Sequence, residues 1–360
     1  MLILLAAGCG FHSVGNGDGS VSNDDGSVSN DDMGVSSMDG ADLAMSSGGG
    51  CAGPLLLVGV ENLHNGDSGG GRVARFSLTA AAQEQCTTLR GQGLIAPQPL
   101  AVAGMLGGIG AATIDGLYFV DPASDTVKWS KPAPQVTGWL PLEAFSILNP
   151  QGTPIMAVAY GMSGNPSTIR EIDAFDATGA SATGAQPWCI QGTGCTLPLS
   201  LGILSVTATP TDLSHFFVLD YATPAAAWDV DPWASPPTKT QYIGAYTDNL
   251  DSLYAVVAGG KARYAWLDNT PSNGAIEYAT DSGSGPGTIG GPIRCVSGCA
   301  TILHVVPDPT TPDGYFALCD GATVDARTVV RVDGALGCTQ ILDGKTFGAE
   351  SRLSRLGIVQ

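Results

Sequence analysis

Apolar residues in this chain fall in short runs that are hydrophobic on both faces and are broken every few residues by turn formers. Asp115 to Trp129, DGLYFVDPASDTVKW, is the clearest unit. Asp115-Gly116 predicts a turn, because glycine accepts positive φ without steric cost and aspartate hydrogen-bonds its own turn backbone. In the strand that follows, Leu117 and Phe119 point one way and Tyr118 and Val120 the other. Both faces therefore need cover, which excludes a sheet with one wet side. Asp121-Pro122 ends the run, and Thr126 to Trp129 reads as a returning strand.

The unit recurs. Asp212 to Asp220 (DLSHFFVLD) and Asp313 to Asp320 (DGYFALCD) repeat the order of turn, aromatic pair, aliphatic and closing aspartate. Asp121 and Asp220 are 99 residues apart, and Asp220 and Asp320 are 100 apart. Each interval holds one looser copy, Arg170 to Asp176 (REIDAFD) and Arg263 to Asp268 (RYAWLD), and Arg72 to Leu78 is a weaker one upstream. A step of about 50 residues lies in the range that produces propellers and solenoids.

Composition agrees with an all-β reading. Fifty glycines, 23 prolines and only 13% charged residues among 360 suit a turn-rich chain and break any long amphipathic helix. From residue 54 onward the chain is long enough to bury roughly three quarters of its unfolded surface. The net charge of −18 excludes a basic nucleic-acid footprint and electrostatic docking on anionic lipid. Seven of those charges, at Asp18, Asp24, Asp25, Asp31, Asp32, Asp39 and Asp42, precede residue 54. No nucleic-acid partner is expected.

Three segments follow: 1–9, 10–53 and 54–360. Residues 1–9, MLILLAAGC, resemble the end of a bacterial lipoprotein signal, with an apolar run and small residues Ala6, Ala7 and Gly8 before Cys9. The resemblance implies cleavage before Cys9 and acylation of its thiol, which gives the protein a lipid bilayer as its first partner. No basic residue precedes the apolar run, and the run is short for a signal; a start further upstream would supply both. Gly10 after the cysteine points, by the lipoprotein sorting pattern, to the outer membrane in preference to the inner. Residues 10–53 carry a seven-residue repeat, DGSVSND at Asp18 to Asp24 and again at Asp25 to Asp31. Such a Gly/Ser/Asp segment has too few apolar residues to repay its ordering entropy and reads as a disordered tether.

Removing Cys9 leaves eight cysteines: Cys51, Cys86, Cys189, Cys195, Cys295, Cys299, Cys319 and Cys338. An even number suits disulfides in an exported domain. Proximity pairs Cys189 with Cys195, Cys295 with Cys299, Cys319 with Cys338 and Cys51 with Cys86, although eight cysteines admit 105 connectivities. Metal binding by Cys295 and Cys299 lacks a histidine or a second matched pair nearby.

Several strings advertise chemistry. Gly66-Asp-Ser-Gly-Gly70 matches a serine-nucleophile signature, but the histidines before Ser68 are His12 in the tether and His64 in the same loop, and a strand, not a helix, follows it. Ser68 is read as a hairpin residue. Gly285 to Gly290 matches a dinucleotide fingerprint, yet runs into Gly291-Pro292 and not into a helix that could hold a phosphate. His64, His215 and His304 have no metal-ligand spacing. Asn23, Asp25 and Gly26 sit in a calcium-loop register that Val21 and the lack of a closing glutamate spoil. Asp229 and Asp231 share one strand face in AWDVDPW and form the best local site for a metal or polar ligand, calcium being the one cation considered. No other cofactor is expected. Trp129, Trp139, Trp188, Trp228, Trp233 and Trp266 either line a surface or pack between sheets.

Asp115 to Trp129 and Arg170 to Trp188, with Asp176-Ala-Thr-Gly179, resemble blades of quinoprotein-type and lactonase-type β-propellers. In those families a strand ending in aspartate precedes a turn and a strand often ending in tryptophan. The resemblance implies a propeller of six blades, with seven as the other count that the length allows. Leu55 to Val60 or Leu353 to Val359 would close the ring by completing a blade begun at the other terminus. The expected function is a binding or scaffold module for an unknown protein or glycan partner, lipid-anchored in the cell envelope. The alternative is an exported propeller enzyme: a hydrolase, a lactonase or a quinoprotein-like oxidoreductase. A histidine gathered with two or more carboxylates would favour the enzyme, above all at one mouth of the central channel.

Overall fold

The computed structural model describes residues 54–359 except 63–70, 79–84, 90–98, 106–107, 123, 125, 163–167, 185–186, 191–194, 200–202, 210–212, 221–224, 247–249, 259–260, 269–274, 281–289, 294–298, 300, 312–313, 322–325, 334–336 and 348–350. Cys9, the tether, Cys51, Cys295, His64, Ser68 and Gly285 to Ile289 lie outside the described residues.

The described strands form six four-stranded antiparallel sheets. The first contains β1 (Leu55–Asn62), β2 (Arg72–Ser77) and β3 (Gln85–Leu89). The second holds β4 (Ala101–Met105), β5 (Gly108–Ala112), β6 (Gly116–Asp121) and β7 (Thr126–Pro132). The third is β8 (Trp139–Leu148), β9 (Pro154–Met162), β10 (Thr168–Phe175) and β11 (Trp188–Cys189). The fourth takes β12 (Ile203–Ala208), β13 (Phe216–Asp220), β14 (Ala225–Asp231) and β15 (Thr238–Tyr246). The fifth has β16 (Leu250–Ala258), β17 (Lys261–Asp268), β18 (Ala275–Thr280) and β19 (Gly290–Ile293). The sixth consists of β20 (Thr301–Pro307), β21 (Tyr315–Asp320), β22 (Thr328–Val332) and β23 (Cys338–Asp343). The last strand, β24 (Ser351–Val359), returns to pair with β1, from Leu55↔Val359 to Asn62↔Ser351. One blade is thus built from both termini, which removes the free edge a linear array would expose.

β24, β4, β8, β12, β16 and β20 touch in that order and back to β24, so these six strands line the axis of a six-bladed β-propeller. Each sheet lies between two others, which explains the doubly apolar runs. Leu55 and Leu57 of β1 pack with Ile109, Ala111 and Val120 of the second sheet. Leu56, Val58 and Val60 of the same strand pack with Val306, Phe316 and Leu318 of the sixth. Burial then fades toward the rim: β5 is buried throughout, whereas β7 alternates exposed and half-buried positions.

The repeat read from the sequence mixes two different strands. Asp121 ends β6, the third strand of its sheet from the axis, and Asp176 follows β10, also third. Asp220, Asp268 and Asp320 end β13, β17 and β21, which are second strands. Second and third strands are both covered on both faces, so they share one hydrophobic pattern.

Cys189 and Cys195 are bonded, as proximity predicts. Cys299 is bonded to Cys319, which corrects the pairings Cys295–Cys299 and Cys319–Cys338. The reason is topological: β20 and β21 pair so that Thr301 lies opposite Asp320, bringing Cys299 beside Cys319 across the strand ends. Cys86 and Cys338 each take part in a further disulfide.

Candidate functional site

Five of the six axial strands carry a bulge. The ladder steps over Leu142 in β8, Leu204 in β12, residues 252 and 253 in β16, Leu303 in β20 and Ser354 in β24. A bulge re-aims the side chain that follows it. The residues after four of these bulges, Glu143, Ser205, His304 and Arg355, meet one another. Arg355 Nη2 donates to Glu143 Oε1 at 2.8 Å and to the Leu142 carbonyl at 2.8 Å. Ser205 Oγ donates to the same Glu143 oxygen at 3.2 Å. His304 Nε2 lies 4.0 Å from Glu143 Oε2. β8 is not a neighbour of β20 or β24 in the ring, so these contacts cross the channel.

Glu143, Ser205 and His304 are buried and Arg355 is partly so. Burial, and secondarily the charge of Arg355, hold the His304 imidazole well below its ordinary value, so it is neutral near pH 7. The carboxylate is engaged by a guanidinium and a hydroxyl drawn from two other sheets. Such a network can hold a ring of blades in register; a group spent in this way is a poor nucleophile or base. Glu143, Ser205 and Arg355 are not singled out by the sequence reading. For Glu143 and Ser205, as for His304, the signal is short: Pro-Leu-Glu-Ala, Ile-Leu-Ser-Val and Ile-Leu-His-Val place a polar residue directly after leucine in an axial strand, whereas Arg355 follows Ser354.

The second cluster joins residues named from the sequence. His215 Nδ1 is 3.1 Å from Asp229 Oδ1, and its Nε2 is 3.9 Å from Asp231 Oδ2. Thr209 Oγ1 also donates to Asp229 Oδ1, at 3.3 Å. One histidine therefore gathers two carboxylates, the arrangement that favours the enzyme alternative over the binding module. The cluster joins the turn between β12 and β13, which holds Thr209 and His215, to the end of β14, which holds Asp229 and Asp231. Asp231 Oδ1 is already occupied by the backbone N–H groups of Trp233 and Ala234, at 2.9 and 3.1 Å, which closes the turn after β14. The two ring nitrogens face different carboxylates, so one ion could not take all three side chains as ligands. Among the described residues no group of three or more His, Cys, Asp or Glu could hold a metal.

The tryptophans mostly pack between sheets. Trp129 stacks on Phe119 at 4.9 Å and donates to the Ala177 carbonyl of the next sheet at 3.0 Å. Trp188 lies edge-on to Phe216 and Trp233, each at 4.9 Å. Trp266 is fully buried, Trp139 packs partly against the second and third sheets, and Trp228 carries Lys239 over its ring at 4.2 Å.

The sequence matches no family profile and no curated protein. Solved structures with a similar strand layout include a candidate 6-phosphogluconolactonase from Bacteroides fragilis, at 11% identity and a TM-score of 0.49, covering 87% of this chain and 100% of that one. A second, from Bacteroides uniformis, has 13% identity and a TM-score of 0.49, covering 80% and 82%. A protein from Lactobacillus plantarum has 14% identity and a TM-score of 0.47, also covering 80% and 82%. At such identities a likeness extends to fold alone. The fold stands on the chain's own strand pairing: it is a six-bladed β-propeller closed by its C-terminal strand.

Proposed function

We propose that this protein is a lipoprotein of the bacterial cell envelope, anchored by an acylated Cys9, whose propeller binds or scaffolds a protein or glycan partner. The observation that carries the reading is the state of the ring's centre. Glu143, the one described carboxylate among the four converging groups, is spent on Arg355 and Ser205. The centre then serves the ring, and recognition falls to the loops and blade surfaces. The outer membrane is the proposed location.

A second reading has its own observation. His215 with Asp229 and Asp231 resembles a general base braced by acids, and suits an exported hydrolase or lactonase. Its residues all come from the fourth sheet, which weighs against it, since propeller chemistry is expected where several blades converge.

Metabolic labelling with a clickable fatty acid tests the anchor. Wild type should be labelled and pellet with membranes, and Cys9→Ser should be unlabelled and soluble; identical fractionation of the two would end the lipoprotein reading. A panel of sugar lactones and esters tests the alternative. Turnover by wild type that is lost in His215→Asn would replace the binding module with an enzyme.

A further inference from the structure

The boundary between the second and third sheets holds an acidic pair that neither cluster above involves. β9 and β10 pair with Tyr160 opposite Glu171, Val158 opposite Asp173 and Met156 opposite Phe175. Met156, Val158 and Tyr160 pack with Leu117 and Phe119 of the second sheet, so Glu171 and Asp173 look the same way. A bulge at Arg170 puts Glu171 on that face. Gly161 permits the close pairing there, since a Cβ would stand 2.0 Å from the Thr168 carbonyl.

Two carboxylates thus sit one residue apart on the same strand face, both partly buried. Neither forms an ion pair within 4.0 Å or a hydrogen bond with any described residue. Tyr160 is 1% exposed, and its hydroxyl has no hydrogen-bond partner among the described residues. That hydroxyl lies within electrostatic reach of both acids, which drive its proton affinity up after burial itself. Aromatic groups border the pair. Phe175 lies 5.8 Å from Trp129, and the Lys131 ammonium sits 5.8 Å over the Phe175 ring. Lys131 is the described cation on this face, and it stays on the ring without pairing with either acid.

Like charges beside a buried hydroxyl, with no cation paired to them among the described residues, destabilise a fold and mark a place where a ligand supplies what is missing. Two carboxylates and a phenol offer at most five oxygens, short of the six to eight that calcium takes. N–H donors suit two carboxylates and a phenol, and an aromatic border favours a cation over its rings. We propose that the boundary between the second and third sheets binds an organic cation, an ammonium or guanidinium group, at Tyr160, Glu171 and Asp173. The group could belong to a free amine or to a basic side chain of a partner protein.

Calorimetric titration of the whole protein at low salt tests this, with agmatine in one arm and a Gly-Arg-Gly tripeptide in the other. Binding in the agmatine arm alone would identify a small amine as the source; binding in the peptide arm would identify a protein side chain. Each of Asp173→Asn and Glu171→Gln should weaken binding about tenfold or more, as expected for loss of a charge-assisted hydrogen bond. Tyr160→Phe should cost roughly threefold. Burial raises the Asp173 carboxyl to about 6, and Glu171 is raised by burial and by Asp173. A cation must displace those protons, so lowering the pH from about 7.5 to about 5 should weaken binding further. The isosteric variants relieve repulsion and should stay folded, which thermal melting checks. No heat with either ligand up to about 10 mM, or unchanged binding in both carboxylate variants, would overturn the proposal. The result is independent of Cys9, so failure of the membrane anchor and failure of this site are separable.

Discussion

Glu143 Oε1 accepts from Arg355 Nη2 at 2.8 Å across 212 residues of sequence. The pair joins the third sheet to the strand that closes the first, through the middle of the ring. Removing one member leaves a partly buried guanidinium and the Ser205 hydroxyl without this acceptor. Breaking a buried pair typically costs 3–5 kcal/mol, and the residual exposure of Arg355 places Glu143→Ala near the lower end, at about 3 kcal/mol. Urea denaturation measures it; Glu143→Gln, which keeps an acceptor oxygen, should lose less.

His304 makes stability fall in acid. Burial holds its folded-state value well below that of the unfolded chain, where an imidazole titrates near 6.5. Below about pH 6.5 the unfolded state takes up a proton that the folded state refuses, and stability drops by about 1.4 kcal/mol per pH unit. His304→Asn should flatten that limb. Unfolding measured from pH 7 to pH 5 in both proteins is the check, and parallel curves would contradict the assignment.

Asp173 works in the opposite direction. Its carboxyl is raised by burial from 3.8 to about 6, so the folded state holds a proton that the unfolded state has lost across that window. Stability therefore declines as pH rises from about 4 to about 6 and stays lower above it, by roughly 1–3 kcal/mol. Asp173→Asn should raise the melting temperature at pH 7 and do little near pH 3.5. Differential scanning calorimetry at the two pH values separates the outcomes.

The Cys299–Cys319 bond ties the start of β20 to the end of β21 across 20 residues. Closing a loop of that length stabilises by about 3 kcal/mol in the chain-entropy account. A non-reduced proteolytic digest should yield the Cys299–Cys319 peptide and none linking Cys295 to Cys299. Cys319→Ser should lower the urea midpoint, and an unchanged midpoint would count against the bridge.

Much of the architecture is legible in the amino acids. Runs such as Leu117 to Val120 and Phe216 to Leu219 are apolar on both faces, and only a strand held between two sheets uses both. Aspartates at strand ends and a step of about 50 residues then lead to a propeller, and Leu55 to Val60 and Leu353 to Val359 foretell the closing blade. The same pattern hides which strand of a blade it marks. Asp121 and Asp220 look equivalent along the chain yet end a third and a second strand, because both positions are covered alike.

The sites were decided by tertiary structure. Asp229 and Asp231 were visible as neighbours on a strand, but their histidine comes from the turn before β13, which pairing alone brings alongside. The central cluster depends on bulges, each a single residue stepped over by the ladder, and a hydrophobic pattern does not record where a ladder slips. Glu143, Ser205, His304 and Arg355 belong to four sheets and meet only because the ring closes on itself. Local sequence determined the strands and their two apolar faces, since those depend on near neighbours; the meeting of charges across the axis depends on how six sheets are arranged around it.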